Sequence, residues 1–302
     1  MGRKAIVTGG AGFIGSALVD LLIDRDWDLL VVDDLSSGRL EHIAVARRRG
    51  KASVLVMDIR APEVSDAAVR FGPEVVFHLA AQSRVRPSVE DPLKDASINV
   101  LGTVNVLQAA VRSGARRVVF ASSGGAIYGG GAKLPATERT AKRPESPYGI
   151  TKKIVEDYFR WFKEAHGLDY VLLAMANIFG PRQDPGLEGG VTAIFGDGSQ
   201  TRDYVYVGDT VDAYLRAADA GHGVLLNIGS GRETSVLELY EMLAHITGFP
   251  MRPQFVDPKP GDIARSVVDP GRAKKVLGWE AWTPLEEGLR RTVDWYRGGA
   301  RG

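Results

Sequence analysis

The feature that most constrains this chain is a glycine-rich turn at its start, Gly9-Gly10-Ala11-Gly12-Phe13-Ile14-Gly15, directly after the apolar run Lys4–Thr8. It satisfies both Gly-x-Gly-x-x-Gly (Gly10, Gly12, Gly15) and Gly-x-x-Gly-x-x-Gly (Gly9, Gly12, Gly15). One glycine permits the tight turn, one lets backbone approach a pyrophosphate, and one lets helix and strand pack closely. The free N–H groups and positive dipole end of the helix that follows then face the phosphates. An acid, Asp33, closes the next strand 18 residues past Gly15. Strand, turn, helix and acid together make a strong dinucleotide signal. Asp33 is placed to accept the adenosine ribose hydroxyls and to repel a 2′-phosphate, which favours NAD. Asp34 follows it, and the alternative for both is a pair of loop acids before Ser36-Ser37-Gly38.

The rest of the first half agrees. Leu29–Asp33, Ser53–Asp58, Glu74–Leu79, Arg117–Ser122 and Tyr170–Met175 read as strands rich in Val, Leu and Ile, suited to burial on both faces of a parallel sheet. Apolar stripes at Ile14, Ala17, Leu18, Leu21, Leu22 and at Val100, Val104, Leu107, Val111 read as intervening helices. This rhythm predicts a doubly wound α/β sheet. It breaks near residue 180. Gly180–Gly198 reads as loop, followed by a helix over Asp209–Ala218, a strand at Val224–Ile228 and helices over Leu237–Thr247 and Pro284–Tyr296. The expected organisation is a dinucleotide domain over 1–176, its sheet completed by later segments, and a smaller C-terminal α/β cap over 177–302 that closes on a substrate. Asp58, at a strand end, reaches the adenine or caps a turn.

Composition narrows the function classes. The 302 residues are 44% hydrophobic and 25% charged with net charge +1, which points to neither nucleic acid nor a membrane surface. The absence of cysteine removes disulfides, thiolate metal sites and thiol nucleophiles. Five scattered histidines, among them His78, lack ligand spacing, so no metal is expected. The N-terminus lacks a signal-peptide apolar region, Ile6 does not suit myristoylation at Gly2, and no apolar run spans a bilayer. A cytoplasmic protein is the expectation.

The chemistry is carried by Ser146-Pro147-Tyr148-Gly149-Ile150-Thr151-Lys152. Ser146 suits an N-cap and Pro147 the first helical position. Tyr148 and Lys152 then share one face, a turn apart. A nearby ammonium and the cation of an oxidised nicotinamide both favour the phenolate. Such a phenolate takes a proton from an alcohol while hydride leaves the same carbon.

With these motifs in view, the chain resembles the extended short-chain dehydrogenases/reductases of the nucleotide-sugar epimerase/dehydratase family, and within it most the UDP-glucose 4-epimerases. The resemblance runs nearly end to end. It is carried by Thr8–Gly15, Asp33-Asp34-Leu35, Asp58-Ile59, His78-Leu79-Ala80-Ala81-Gln82, Asn99, Ser122–Gly129, Tyr148–Lys152, Asn177–Gln183, Gly196–Tyr204, Asn227–Gly231 and Gly261-Asp262. It implies that Phe13, Ile14, Ile59, Leu79, Ala80, Ala81, Gln82 and Asn99 line the cofactor. It further implies that Asn177 contacts the nucleotide-sugar phosphate and that Arg202, Lys259 and Asp262 lie on the substrate side. The alternative for Arg202 is a surface pair with Asp203. Relatives pair through the Tyr–Lys helix, so a homodimer is expected.

The stretch after the fifth strand discriminates reactions. Family dehydratases carry Thr-Asp-Glu before the Val-Tyr-Gly element, whereas this chain reads Ser122-Ser123-Gly124-Gly125-Ala126-Ile127-Tyr128-Gly129, with no acid. That implies C4 epimerisation. Relatives place Ser or Thr where Gly124 stands, and a one-residue shift makes Ser123 the catalytic hydroxyl, with Ser122 in reserve; capping of the strand end is the alternative for either. Ala174 and Met175 replace an Arg-Tyr pair, Lys259 replaces an arginine, and the Asp184–Phe195 link lacks a helix that relatives carry. UDP-glucose, UDP-glucuronate and UDP-N-acetylhexosamines remain open as substrates. Arg84 and Arg86 serve a C6 carboxylate, the cofactor phosphates or only the surface. Two readings of other classes are a non-catalytic nucleotide-sugar sensor and a plain NAD-dependent reductase.

Overall fold

The computed structural model describes residues 2–184, 193–249, 253–257 and 263–298. Six strands arise where the apolar runs lie: β1 (Lys4–Thr8), β2 (Asp28–Asp33), β3 (Ala52–Val56), β4 (Val75–His78), β5 (Arg117–Ser123) and β6 (Asp169–Met175). Later strands are β7 (Asn177–Phe179), β8 (Ala193–Phe195), β9 (Thr201–Arg202), β10 (Tyr204–Tyr206) and β11 (Val224–Ile228). The last three are β12 (Thr234–Ser235), β13 (Gln254–Val256) and β14 (Arg265–Ser266). The main sheet runs β11-β6-β5-β4-β1-β2-β3 with every pairing parallel. Order reverses between β1 and β4, and the crevice above their carboxyl ends is where such sheets hold ligands.

Period-2 alternation sorts the strand side chains onto two buried faces. Ala5, Val7, Leu29, Val31, Val75, Phe77, Val119, Val171 and Leu173 pack on one side, together with buried residues of α1 (Phe13–Asp24). Ile6, Leu30, Val32, Val76, Val118, Phe120 and Leu172 pack on the other. That second layer holds α3 (Glu63–Phe71), α6 (Gly102–Arg112) and α8 (Pro147–His166). Between α1 and α3 lies the short α2 (Ala44–Arg48), and between α3 and α6 lie α4 (Val85–Glu90) and α5 (Pro92–Ala96). A π turn over Ser97–Leu101 joins α5 to α6 and takes in Val100, the first residue of the apolar stripe. After β5 comes the single-turn α7 (Gly124–Ile127). α9 (Val207–Ala217) joins α1 on the first face, and α10 (Val236–Thr247), α11 (Gly271–Leu277) and α12 (Leu285–Arg297) complete the chain.

Gly180–Gly198 is not all loop. β8 falls within it and pairs in parallel with β13, because Ile194 is buried there. Its apolar triplet, Ala193-Ile194-Phe195, is too short to register against the surrounding glycines. β9 lies between β12 and β14, and β7 pairs with β10, so small sheets flank the carboxyl end of the main one. No described helix is long and apolar enough to cross a membrane.

Candidate active site

The glycines of the first turn have separate duties. Gly9 sits at φ +68°, and a Cβ there would lie 2.7 Å from Ala80 N. At Gly15 a Cβ would come within 2.0 Å of Gly9 O, so helix and turn touch. Gly12 is the N-cap of α1 and has no side-chain cap bond, which leaves the first N–H groups, from Phe13 onward, for anionic oxygens. Asp33 is buried, with Oδ2 accepting from Ala11 N–H at 2.9 Å and Oδ1 from Leu35 N–H at 2.9 Å. Burial pushes its carboxyl up, against those two bonds. The Leu35 bond pins that residue at φ 59°, a left-handed conformation costly for a leucine. Each Asp33 oxygen keeps a lone pair for a ribose hydroxyl.

Asp34 is exposed and accepts from Ser36 N–H and Oγ, a turn role. Asp58 accepts from the backbone and guanidinium of Arg60, and that guanidinium also reaches Ser97 Oγ at 2.9 Å. These are the bonds of a turn acid at the strand end. Ile59 is buried beside Gly102, where a Cβ would meet Ile59 Cδ1 at 2.6 Å. On the far side of the switch point, Leu79 and Ala80 donate N–H bonds to Thr8 O and Oγ1. His78 is fully buried between Thr8 Oγ1 (2.7 Å) and Thr103 Oγ1 (3.0 Å), and burial holds it neutral with a pKa near 3. It packs in the sheet end.

Beyond Ala81, the chain is clamped by Asn99. Asn99 Oδ1 accepts from Gln82 N–H at 2.9 Å and its Nδ2 donates to Gln82 O at 2.9 Å. The π turn around Asn99 belongs to a class of helix irregularity that gathers at functional sites. These residues fit an NAD molecule: the turn has no Cβ where the pyrophosphate approaches, the helix end is uncapped, and Asp33 has acceptors to spare.

The Tyr–Lys helix begins as its sequence dictates. Ser146 Oγ accepts from Gly149 N–H at 3.2 Å and Pro147 occupies the first turn. Lys152 is 3% exposed; its Nζ donates to Ala121 O at 2.8 Å and lies 4.5 Å from the Phe120 ring centre and 5.8 Å from that of Tyr148. Burial lowers the Lys152 ammonium to about 7 and raises the Tyr148 phenol to about 12, the latter opposed by a hydrogen bond with the Ser123 side chain. Beside the ammonium alone, without a nicotinamide cation, the phenol stays raised. Desolvation wins, and further positive charge is needed to ionise it.

Ser122 and Ser123 separate cleanly. Ser122 is 1% exposed and its Oγ has no hydrogen-bond partner among the described residues, whereas Ser123 meets Tyr148. Ser123 is the N-cap residue of α7 but makes no side-chain cap bond, so its hydroxyl is not spent on capping. Gly124 is packed under Ala174 O and Val268. Among the described residues, a Cβ on Gly125 would meet only Ser266 Oγ (3.9 Å) and Asn177 Oδ1 (4.0 Å), which leaves open space between them above the strand end. Asn177 is exposed and its N–H donates to Asp203 O at 2.9 Å. Arg202, on β9, donates to Thr201 O and pairs in register with Ser266 of β14. Asp203 is spent on Ser230 and Gly231 instead. Lys259 and Asp262 lie outside the described residues, as does most of the 184–195 link. Arg84 is exposed at the start of α4 and Arg86 pairs with Glu90 at the surface.

A family model, NAD dependent epimerase/dehydratase, matches residues 5–229. The chain belongs to that family, and NAD is its cofactor. It is 44% identical to the UDP-glucose 4-epimerase of Mycolicibacterium smegmatis, over 97% of this chain and 98% of that one. The crystal structure of UDP-glucose 4-epimerase from Thermotoga maritima, with UDP-glucose, superposes with a TM-score of 0.94 at 41% identity, covering 98% of this chain and 99% of the other. The Thermus thermophilus UDP-glucose 4-epimerase complex with NAD gives 0.89 at 35%, covering 98% and 100%.

Sequence reasoning passed over three residues bonded around the start of the Tyr–Lys helix. Ser88 is fully buried and accepts the Tyr148 N–H at 3.1 Å. Thr151, beside Lys152, donates to Asp95. Asp95 is fully buried, and its spacing to Asn99 was the available signal: i and i+4 share a helix face. Nothing in the sequence marked Ser88.

Proposed function

We propose that this protein is an NAD-dependent UDP-sugar 4-epimerase that interconverts UDP-glucose and UDP-galactose. The observation that carries the reading is the Ser123–Tyr148 hydroxyl pair beside buried Lys152, on a strand end with no carboxylate from Ser122 to Gly129. Water elimination needs an acid at that place, and redox inversion does not. The likeness to UDP-glucose 4-epimerases of 44% and 41% identity over nearly the full length supports the same reading.

On this reading Gly9, Gly12, Phe13, Ile14 and Gly15 hold the pyrophosphate, Asp33 the adenosine ribose, and Leu79–Gln82 with Asn99 the second half of the dinucleotide. When bound, NAD supplies the hydride acceptor for C4 and a positive charge beside the phenol. Tyr148 takes the C4 hydroxyl proton and later returns it. Ser123 shares the hydrogen bond that aligns that hydroxyl, and Lys152 stabilises the phenolate. The keto sugar turns over in the space above Gly125, while Asn177 and Arg202 hold the diphosphate. A guanidinium suits that task through paired N–H donors. Residues 1–176 carry the dinucleotide and 177–302 the nucleotide sugar, with β11 returned to the sheet.

Proton NMR of the protein with UDP-glucose and UDP-glucuronate in one tube tests this. An anomeric signal of the galacto epimer is expected from UDP-glucose; conversion of the glucuronate alone reassigns the substrate. Tyr148→Phe is expected to abolish turnover with NAD still bound, and near-normal turnover would refute the mechanism.

A homodimer through α8 belongs to the same reading. Ile150, Ile154, Tyr158 and Trp161 expose an apolar stripe along that helix, beside exposed Leu93 and Leu101. Sedimentation velocity is expected to give a dimer, and Ile154→Glu a monomer. A cytoplasmic location completes the proposal.

A further inference from the structure

We propose that Asp95 is a positioning residue of the Tyr148–Lys152 pair: its buried carboxylate fastens the cofactor loop, the π turn and the start of α8 into one unit and sets the charge those two side chains feel. The proposal rests on the epimerase reading for its kinetic consequence, though not for its geometry.

Three neutral donors from three segments converge on this one carboxylate. Gln82 Nε2, from the loop after β4, donates to Oδ1 at 2.9 Å. Asn99 Nδ2, in the π turn, donates to Oδ1 at 3.0 Å. Thr151 Oγ1, on α8 next to Lys152, donates to Oδ2 at 2.9 Å. Asp95 itself is 0% exposed. Burying an ionised carboxylate on neutral partners is costly, and a purely structural tie of the same shape needs no charge.

The surrounding charges leave Asp95 as the neighbour common to both catalytic groups. From α4, Arg86 and Glu90 are exposed and paired with each other. Lys94 on α5 and Lys153 on α8 are exposed. Glu156, a turn beyond Lys152, is paired with Lys142. From β4, His78 is neutral between two threonines, and from α9 the Tyr214 phenol is buried and un-ionised. Asp95 acts on both Tyr148 and Lys152, raising the pKa of each. A carboxylate beside the pair disfavours the phenolate and favours the ammonium. Its removal therefore lowers both pKa values, and the two limbs of a pH–rate profile move together toward lower pH.

Asp95→Asn tests this, since the amide keeps an acceptor for Gln82 and Asn99 while removing the charge. The NAD-loaded protein is labelled with 13Cζ-tyrosine, and the Tyr148 signal is assigned by its loss in Tyr148→Phe. The expected result is a Tyr148 titration midpoint lower by about one pH unit, and a kcat profile displaced the same way on both limbs. An unchanged midpoint, whatever the fall in kcat, overturns the proposal. Thr151→Val removes a donor but keeps the carboxylate, and is expected to leave the midpoint in place; a shift equal to that of Asp95→Asn would also overturn it. If Asp95→Asn does not fold, Asp95→Ser, smaller and neutral, replaces it with the same expected shift. Wild-type protein that leaves UDP-glucose unchanged would refute the epimerase reading, and the NMR titration would still decide the role of Asp95.

Discussion

The backbone N–H of Tyr148 donates to Ser88 Oγ across 3.1 Å, so the first turn of α8 is fastened to α4 at the residue proposed to do the chemistry. Ser88 in turn donates to Val85 O at 2.6 Å and is fully buried. Ser88→Ala would strand a buried N–H, at a cost of about 1–3 kcal/mol. We expect a lower unfolding midpoint by calorimetry and a fall in kcat of roughly tenfold with KM little changed, as loss of a transition-state alignment gives.

Ser122 and Ser123 should respond oppositely. Ser123→Ala removes the Tyr148 partner, and kcat is expected to fall by about 10²-fold, the usual reach of one proton-transfer group. Ser122 Oγ is buried without a partner, so Ser122→Ala should leave kcat within about threefold and hold or raise stability. Steady-state kinetics of the two variants side by side check this, and an intact Ser123→Ala enzyme would move the catalytic hydroxyl elsewhere.

Acid stability should carry the signature of His78. Its folded pKa is near 3, against about 6.5 in the unfolded chain. The folded state thus binds fewer protons, and its stability is complete above pH ~6.5 and lost as pH falls toward 3. His78→Gln is expected to flatten that slope between pH 4 and 6.5 in urea unfolding. A slope unchanged from wild type would mean other groups set it.

Lys152 should trade stability for function. Burial holds it at about 7, below about 10.4 for a free lysine. The unfolded chain binds the extra proton in between, so this group makes stability rise with pH from about 7 to 10.4 and penalises the fold below. Lys152→Met should raise the unfolding midpoint at pH 7 by roughly 3 °C or more and abolish turnover. A destabilised Lys152→Met protein would show that the Ala121 bond outweighs the buried charge.

Much of this was legible in the chain. The turn at Gly9–Gly15, the six apolar strands, Val224–Ile228 and the Ser146-Pro147 start of α8 each follow from local physics: two-face burial, a capping oxygen, a φ that only glycine adopts readily. The period of a strand or helix is written in nearest neighbours, so sequence alone determined the main sheet and most of its helices, and with them the crevice.

The tertiary structure decided what depends on distant neighbours. β8, β9 and β14 are two or three residues long and exist because of partners tens of residues away. Ser122 and Ser123 are adjacent and chemically identical, and only the position of α8 over the strand end gives one of them Tyr148. Spacing put Tyr148 and Lys152 on one face, yet their ionisation was set by desolvation, which no spacing encodes. Asp95 was an ordinary acid in sequence and a buried hub in the fold, because burial is a property of packing, and packing brings together segments that the chain keeps apart.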